Sequence, residues 1–234
     1  MHHSIIYEEP SMKQAVCIIS GGMDSALSAK IAQKEGYEII ALHFNYGQRT
    51  EKKELACFRK IAADVNAVHT YEIDLPFFEQ IGASALTDKR IAVPTGGIEE
   101  GVPVTYVPFR NGIFLSIAAS VAEKHGAEAL FIGVVEEDSS GYPDCRERYI
   151  EQMEQAINLG TKDETHIEIK MPLVHLKKRQ IVQKALELGV PLAHTWSCYK
   201  EKGTACGVCD SCRLRLKGFE EAGVKDPIPY AKVQ

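Results

Sequence analysis

Six residues near the amino terminus, Ser20-Gly21-Gly22-Met23-Asp24-Ser25, have the types and order needed to hold a chain of phosphates. They follow the apolar run Ala15 to Ile19 and precede Ala26-Leu27-Ser28-Ala29-Lys30-Ile31, so a glycine turn joins a buried strand to a helix. The glycines allow positive φ and close backbone approach, while the free N–H groups and positive dipole end of the helix start favour an anion. Ser20 and Ser25 add hydroxyl donors. The segment lacks the Gly-Lys-Ser/Thr ending of a Walker A loop, so a different phosphate chemistry is implied. An ordinary turn with Asp24 or Ser25 as helix cap has the same composition, and the flanking strand and helix weigh against it.

Cys198, Cys206, Cys209 and Cys212 form the second group. The last three stand at successive three-residue steps, a spacing that suits four thiolates around one tetrahedral zinc, with Gly203 and Gly207 permitting tight knuckle turns. A metal orders a short segment where little hydrophobic core is available. An iron–sulfur cluster or a disulfide pair are the competing accounts, the disulfide disfavoured in a reducing compartment. Full thiolate coordination predicts a structural zinc, one per chain, because a catalytic zinc keeps a position open. Cys17 and Cys57 fall within strand and helix patterns and read as small buried hydrophobes. Cys145 lies in a polar segment, where an inert thiol is favoured over a reactive one.

The elements that must position these groups follow an α/β rhythm. Apolar, β-branched runs at Ala15 to Ile19, Glu38 to Phe44, Ala67 to Ile73, Ala129 to Val135 and Ile167 to Leu173 predict strands. Helical patterns run from about Thr50 to Val65, Asn111 to His125, Arg146 to Asn158 and Leu176 to Leu188. Such alternation predicts a three-layer parallel sheet whose ligand sits at the carboxyl ends of the strands. The boundaries expected are an α/β domain over 11–190 and a metal-binding segment over 191–234. The 234 residues, 45% hydrophobic, suffice for one core with an appendage, and the net charge of −5 argues against a generally basic nucleic-acid binder. No apolar run is long enough to span a bilayer, and Met1-His2-His3-Ser4 lacks the apolar core of a signal peptide, so a cytoplasmic protein is expected.

Other side chains fall on the same rim by this reading. Gln48 and Arg49 follow the second strand. Asp138, Ser139, Ser140, Tyr142 and Asp144 follow the fourth, where carboxylates and hydroxyls can read a donor edge and Tyr142 can stack, although turn chemistry alone produces such a run. Arg110 and Asn111 open a helix, either as a bidentate anion contact or as a cap with a surface arginine. Lys177, Lys178 and Arg179 open another, an unfavourable place for cations unless an anion is nearby, and a solvated basic face is the favoured account. The irregular stretch from Leu86 to Pro108 reads equally as a lid or as disorder.

The hexapeptide resembles that of the PP-loop ATP pyrophosphatases, of the adenine nucleotide alpha hydrolase-like fold, which cleave ATP between the α and β phosphates. Four longer motifs narrow this: Leu42-His43-Phe44-Asn45-Tyr46-Gly47-Gln48-Arg49, Pro108-Phe109-Arg110-Asn111-Gly112-Ile113-Phe114-Leu115-Ser116, Asp138-Ser139-Ser140-Gly141-Tyr142-Pro143-Asp144-Cys145-Arg146 and Thr195-Trp196-Ser197-Cys198-Tyr199. Together, over Ala15 to Phe219, they resemble the 7-cyano-7-deazaguanine synthase family of queuosine biosynthesis. Thr50 departs from it, since many members carry histidine after Gly-Gln-Arg.

The resemblance implies an ATP-dependent ligase that turns 7-carboxy-7-deazaguanine and ammonia into the nitrile through adenylated intermediates, with Mg²⁺ accompanying ATP. It implies nucleotide binding by Ile19, Ser20, Gly21, Gly22, Met23, Asp24, Ser25, Ala26, Leu27, Ser28 and Ala29, and chemistry at Asp24, Ser25 and Arg110. Substrate contacts would come from Gln48, Arg49, Asn111, Asp138, Ser139, Tyr142 and Asp144, zinc ligation from the four cysteines, and assembly as a homodimer. Two alternatives stand beside it: a PP-loop enzyme acting on tRNA by thiolation or lysidine formation, and a zinc-knuckle nucleic-acid-binding module using Arg213, Arg215 and Lys217. Neither an RNA-binding extension nor a generally basic charge supports them, so no direct nucleic-acid contact is expected.

Overall fold

The computed structural model describes residues 12–96, 101–136 and 141–231. Five parallel strands, β1 (Gln14–Ile18), β2 (Glu38–Asn45), β3 (His69–Asp74), β4 (Ala129–Phe131) and β5 (Glu168–Lys170), lie in the order β3-β2-β1-β4-β5. Val16 of the central β1 stands in register with Ile40 on one side and Leu130 on the other. The expected parallel α/β sheet is therefore present. Its last two strands are shorter than their apolar runs: beyond Phe131 and Lys170, among the described residues, only single bonds, Ile132 N to Lys170 O and Glu136 N to Val174 O, still join the two segments, and residues 132–135 floor a cleft.

Strand periodicity builds the three layers. Ala15, Cys17 and Ile19 point to one face, packing with Leu27, Phe58 and Ile181, whereas Val16 and Ile18 point to the other, with Phe114, Leu115 and Ile150. Each large apolar side chain buried this way contributes about 1.5–3 kcal/mol. The helices supplying these contacts are α1 (Met23–Lys34), α2 (Glu51–Asp64), α3 (Phe77–Ile81), α4 (Arg110–His125), α5 (Glu147–Gly160), α6 (Lys178–Glu187) and α7 (Asp210–Glu221). Helices α3 and α7 are not anticipated by the apolar periodicity. The first is a single turn after Pro76, and the second mixes thiols with charge over its first turns.

Chain order reverses at β1, which has β2 on one side and β4 on the other. Such a switch point opens a crevice outside the strand ends, and the glycine turn emerges there. A third, small cluster holds Trp196, Cys198, Ala205, Cys209, Cys212 and Ile228 together with Cys57. Helix α7 carries this segment back onto α6, where a methyl added to Gly218 would lie 2.9 Å from the Lys178 Cβ. The described parts of the stretch 86–108 form neither helix nor strand. They are tied down by an Ala85 N to Val104 O bond of 2.8 Å and by Arg49. Among the described residues, no helix is long and apolar enough to cross a membrane.

Candidate active site

A cleft of about 270 Å³ opens at the switch point. Its phosphate-turn side is formed by Ile19, Ser20, Gly22, Met23, Asp24 and Ser25. The turn is closed by its own serines: Ser20 N donates to Ser25 Oγ at 3.1 Å, Ser25 Oγ to Gly22 O at 3.1 Å, and Gly22 N to Ser20 Oγ at 3.3 Å. Among the described residues no side chain caps α1, which leaves first-turn N–H groups for a ligand. Gly21 holds φ at +90°, and a Cβ there would sit 2.5 Å from the Glu54 carbonyl oxygen, so the turn demands glycine. Ala26, Leu27, Ser28 and Ala29 continue into α1 as buried core and do not line the cleft.

Asp24 is gripped from the far end of the chain. Lys178 Nζ donates to its Oδ2 at 2.5 Å, while Oδ1 is buried without a partner among the described residues. The solvated basic face expected for Lys177, Lys178 and Arg179 is thus corrected for Lys178, which is only 8% exposed. A buried cation at a helix start is unfavourable twice, through lost hydration and through the dipole, and the Asp24 carboxylate offsets both. The awkward placement was itself the sequence signal.

The opposite wall is aromatic and cationic. Arg110 donates through Nη1 to the Tyr46 hydroxyl at 2.9 Å, its guanidinium lies 5.4 Å and 5.7 Å from the Tyr46 and Phe114 ring centroids, and its Nε is buried without a partner among the described residues. Burial disfavours its charge, but the Tyr46 hydroxyl that accepts its hydrogen bond and the nearby Asp144 carboxyl offset this, and Arg110 stays ionised. Phe109, just before it, takes the left-handed φ of 54° to start α4. Burial pushes the Tyr46 phenol up to about 12 and lifts Tyr199 well above its ordinary value. The Cys145 thiol, also in the wall, is raised to about 12 by burial and by Asp144, which fits an inert thiol.

The other expected substrate contacts divide. Tyr142 lines the cleft and donates to Thr105 Oγ1 at 2.9 Å. Gln48 and Arg49 line it too, but their polar atoms face the protein. Gln48 accepts from Tyr46 N at 2.8 Å and donates to Glu54, and the Arg49 guanidinium donates to the carbonyls of Ala85, Asp88 and Ile91 at 2.7, 3.1 and 2.7 Å. Asn111 lines the cleft, but its backbone N–H donates to Asp144 Oδ2 at 2.9 Å. Asp144 therefore seats the first turn of α4 through Oδ2, while its Oδ1 is buried without a partner among the described residues, and burial raises its carboxyl. Asp138, Ser139 and Ser140 lie outside the described residues.

The cysteine segment closes the remaining side. Trp196, Ser197, Tyr199, Ser211, Leu214 and Arg215 reach the cleft, and Trp196 N donates to Gly21 O at 2.9 Å. Sequence reasoning did not connect these residues to the nucleotide turn, because no local period links positions so far apart. Buried Arg215 braces them, making bonds of 2.7 and 3.0 Å to Asp226, 2.8 Å to Thr195 Oγ1 and 3.2 Å to Leu192 O. Cys198, Cys206, Cys209 and Cys212 bring their sulfurs within 4.8 Å of one another, none in a disulfide, and this four-thiol set can hold a metal ion. Backbone N–H groups of Lys200, Glu201 and Cys206 point at Cys198 Sγ at 3.2–3.4 Å, as suits a thiolate.

The model of the family "Queuosine biosynthesis protein QueC" matches residues 14–223. The chain is 83% identical over 220 residues to the 7-cyano-7-deazaguanine synthase of a Sulfurovum species, covering 94% of this chain and 99% of that protein. It is 70% identical over 217 residues to the enzyme of the same name from a Nitratiruptor species, covering 93% and 98%. Among solved structures, a 4-thiouridine synthetase in complex with RNA and ATP shares the fold, with a TM-score of 0.52 at 20% identity, covering 90% of this chain and 50% of the other. With a PP-loop-like sheet, a four-cysteine cluster and these relatives, the chain belongs to the QueC family of 7-cyano-7-deazaguanine synthases, enzymes of queuosine biosynthesis.

Proposed function

We propose that the enzyme converts 7-carboxy-7-deazaguanine and ammonia to the nitrile with cleavage of ATP to AMP and pyrophosphate. The observation that carries this reading is a phosphate turn facing, across one cleft, an arginine whose Nε has no protein partner among the described residues. Making a nitrile from a carboxylate removes two oxygens, each a poor leaving group. Adenylation of the carboxylate, attack by ammonia to give the amide, and adenylation of the amide oxygen let each oxygen depart on AMP.

In this reading the residues position and neutralise more than they react. The N–H groups and hydroxyls of Ser20 to Ser25 hold the departing pyrophosphate. Lys178 supplies beside the turn the positive charge that the hexapeptide lacks. Asp24, with one oxygen on Lys178 and the other unpartnered among the described residues, would hold Mg²⁺, which neutralises phosphate charge when bound. Arg110 meets the substrate carboxylate, and Tyr142 with Tyr46 flanks the ring.

The four thiols suit zinc. Metal–sulfur bonds of about 2.3 Å set neighbouring sulfurs about 3.8 Å apart, close to the 4.0 Å between Cys206 and Cys212. With all four donors supplied by cysteine, the zinc is structural. We assign the phosphate turn to the α/β domain through residue 190 and the zinc to the segment from 191 onward, which closes one side of the same nucleotide cleft. On the family resemblance, the enzyme works in the cytoplasm as a homodimer.

Incubation with ATP, Mg²⁺, an ammonium salt and 7-carboxy-7-deazaguanine, followed by mass spectrometry, tests the reading. The expected products are the nitrile and AMP. AMP without nitrile would retain the phosphate chemistry and reject the substrate, and neither product would reject both.

A further inference from the structure

Nitrogen enters this reaction as ammonia, with three N–H bonds, and leaves as a nitrile with none. Three protons must therefore be taken up beside the reacting carbon, and the cleft offers few groups for the task. Among its described lining residues, Asp24 is paired with Lys178 at 2.5 Å, while Arg49, Arg110 and Arg215 are cations. The Tyr46 phenol and the Cys145 thiol, each raised to about 12, stay protonated at neutral pH.

Glu54 differs from all of these. It lines the cleft and forms no ion pair among the described residues, being held by two neutral donors, Thr50 Oγ1 at 2.5 Å and Gln48 Nε2 at 3.2 Å. Gln48 is itself fixed by Tyr46 N and by Phe44 O, so the carboxylate has an orienting partner. The location suits the chemistry. The Glu54 carbonyl abuts Gly21 of the phosphate turn, and Tyr46, two residues before Gln48, holds Arg110. The carboxylate lines the same cleft as the phosphate turn and feels the charge of Arg110 across it.

We propose that Glu54 is the base that removes protons from the incoming nitrogen. In the first half, ammonia adds to the adenylated carbonyl. Glu54 takes one N–H proton, and the C–O bond to AMP breaks with its electron pair leaving on AMP. In the second half, the amide oxygen bonds to the α phosphorus of a second ATP and pyrophosphate leaves. Two further protons then leave nitrogen in turn, the second as the remaining C–O bond breaks and the C≡N bond closes. No electron donor or acceptor is needed, and the open cleft lets Glu54 pass each proton to water. The assignment rests on the reaction proposed above. Burial raises the Glu54 carboxyl above its usual range, reinforced by Glu51 and opposed by Thr50, Gln48 and the charge of Arg110, which moves it toward the pH at which a base works best.

Glu54→Gln keeps the side chain's size and separates the steps. Carboxylate-dependent exchange of labelled pyrophosphate into ATP without ammonia should stay within about threefold of wild type, while nitrile formation falls on the order of 10²-fold. The acid limb of the nitrile rate profile should disappear with it. In Thr50→Val, which removes a donor that favours the charged carboxylate, that limb should move to higher pH. A nitrile rate near wild type in Glu54→Gln, a parallel loss of exchange, or an unmoved limb in Thr50→Val would overturn the assignment. Absence of exchange in the wild-type enzyme would overturn the adenylation reading as well, which separates the two failures.

Discussion

The phosphate turn and the four-cysteine segment face the same cleft, yet different forces hold them. Ser20 to Ser25 rest on the central strand, with Ala15, Cys17 and Ile19 on one face of the sheet and Val16 and Ile18 on the other, all buried among large apolar side chains. Residues 198–212 sit in a smaller cluster in which five thiols share the space with Ala85, Val93, Trp196, Ala205 and Ile228 and the half-buried Ile91, Tyr199 and Tyr230. Burial is enough to fix the first region. In the second, fewer apolar contacts oppose chain entropy, and the proposed metal–sulfur bonds would supply the rest. On the proposed reading one site is assembled from a wall fixed by the core and a wall fixed by a metal, with separate vulnerabilities.

The most severe way to break the comparison is at the turn's charge. Asp24→Ala should abolish carboxylate-dependent ATP consumption, a loss on the order of 10³-fold, with the circular dichroism of the folded protein retained. Normal turnover would refute the role given to Asp24. Next comes the thiolate wall. Cys209→Ser should release the metal and erase hydrogen-exchange protection over 198–212 and α7, while β1 and β2 stay protected, as mass spectrometry of exchanged peptides can read. Uniform loss of protection would mean that the two regions share one source of stability.

Glycine substitutions sharpen the contrast further. Gly21→Ala forces a side chain into φ +90° and against the Glu54 carbonyl, and should destabilise by roughly 1–3 kcal/mol in urea melts. Gly203→Ala, with nothing within 4 Å of the added carbon, should change stability by less than about 0.5 kcal/mol. The gentlest probe is pH. His43 stacks on Phe58 and its Nδ1 bonds to Ile19 O at 2.8 Å, and burial lowers its pKa below the ordinary 6.5. The unfolded chain therefore binds the proton first. The His43 contribution is present above pH 6.5 and is lost as pH falls through and below it. Melts at stepped pH should show that slope in wild type and a flatter one in His43→Asn.

Much of this architecture could be read from the chain. Alternating apolar runs announced the parallel sheet, since β1, β2 and β4 are buried along their apolar residues and the edge strand β3 turns Tyr71 and Ile73 toward the core, and the turn's glycines and serines announced an anion site at its rim. The four cysteines announced a shared ligand by spacing alone, and they do converge. What stayed hidden depends on distance along the chain. The Lys178 grip on Asp24 spans 154 positions, and the Trp196 bond to Gly21 is more remote still. Gln48 and Arg49 do reach the cleft, as their place after β2 suggests. The carbonyls that occupy the Arg49 guanidinium lie in an irregular stretch whose path no period reveals. Asp144 shows a related limit: a carboxylate after a strand can face a ligand or seat a neighbouring helix, and only packing reveals that its Oδ2 seats α4.

The claim that both walls make one nucleotide site is tested most directly by stripping the metal from the intact protein with a chelator and measuring ATP affinity by calorimetry. Far-ultraviolet circular dichroism would monitor the sheet, and the fluorescence of Trp196, the single tryptophan of the chain, would monitor the junction. If the account is right, the sheet signal persists, the Trp196 emission shifts and ATP binding weakens on the order of tenfold or more, because Trp196 no longer holds Gly21. Unchanged ATP affinity with the metal removed would contradict it.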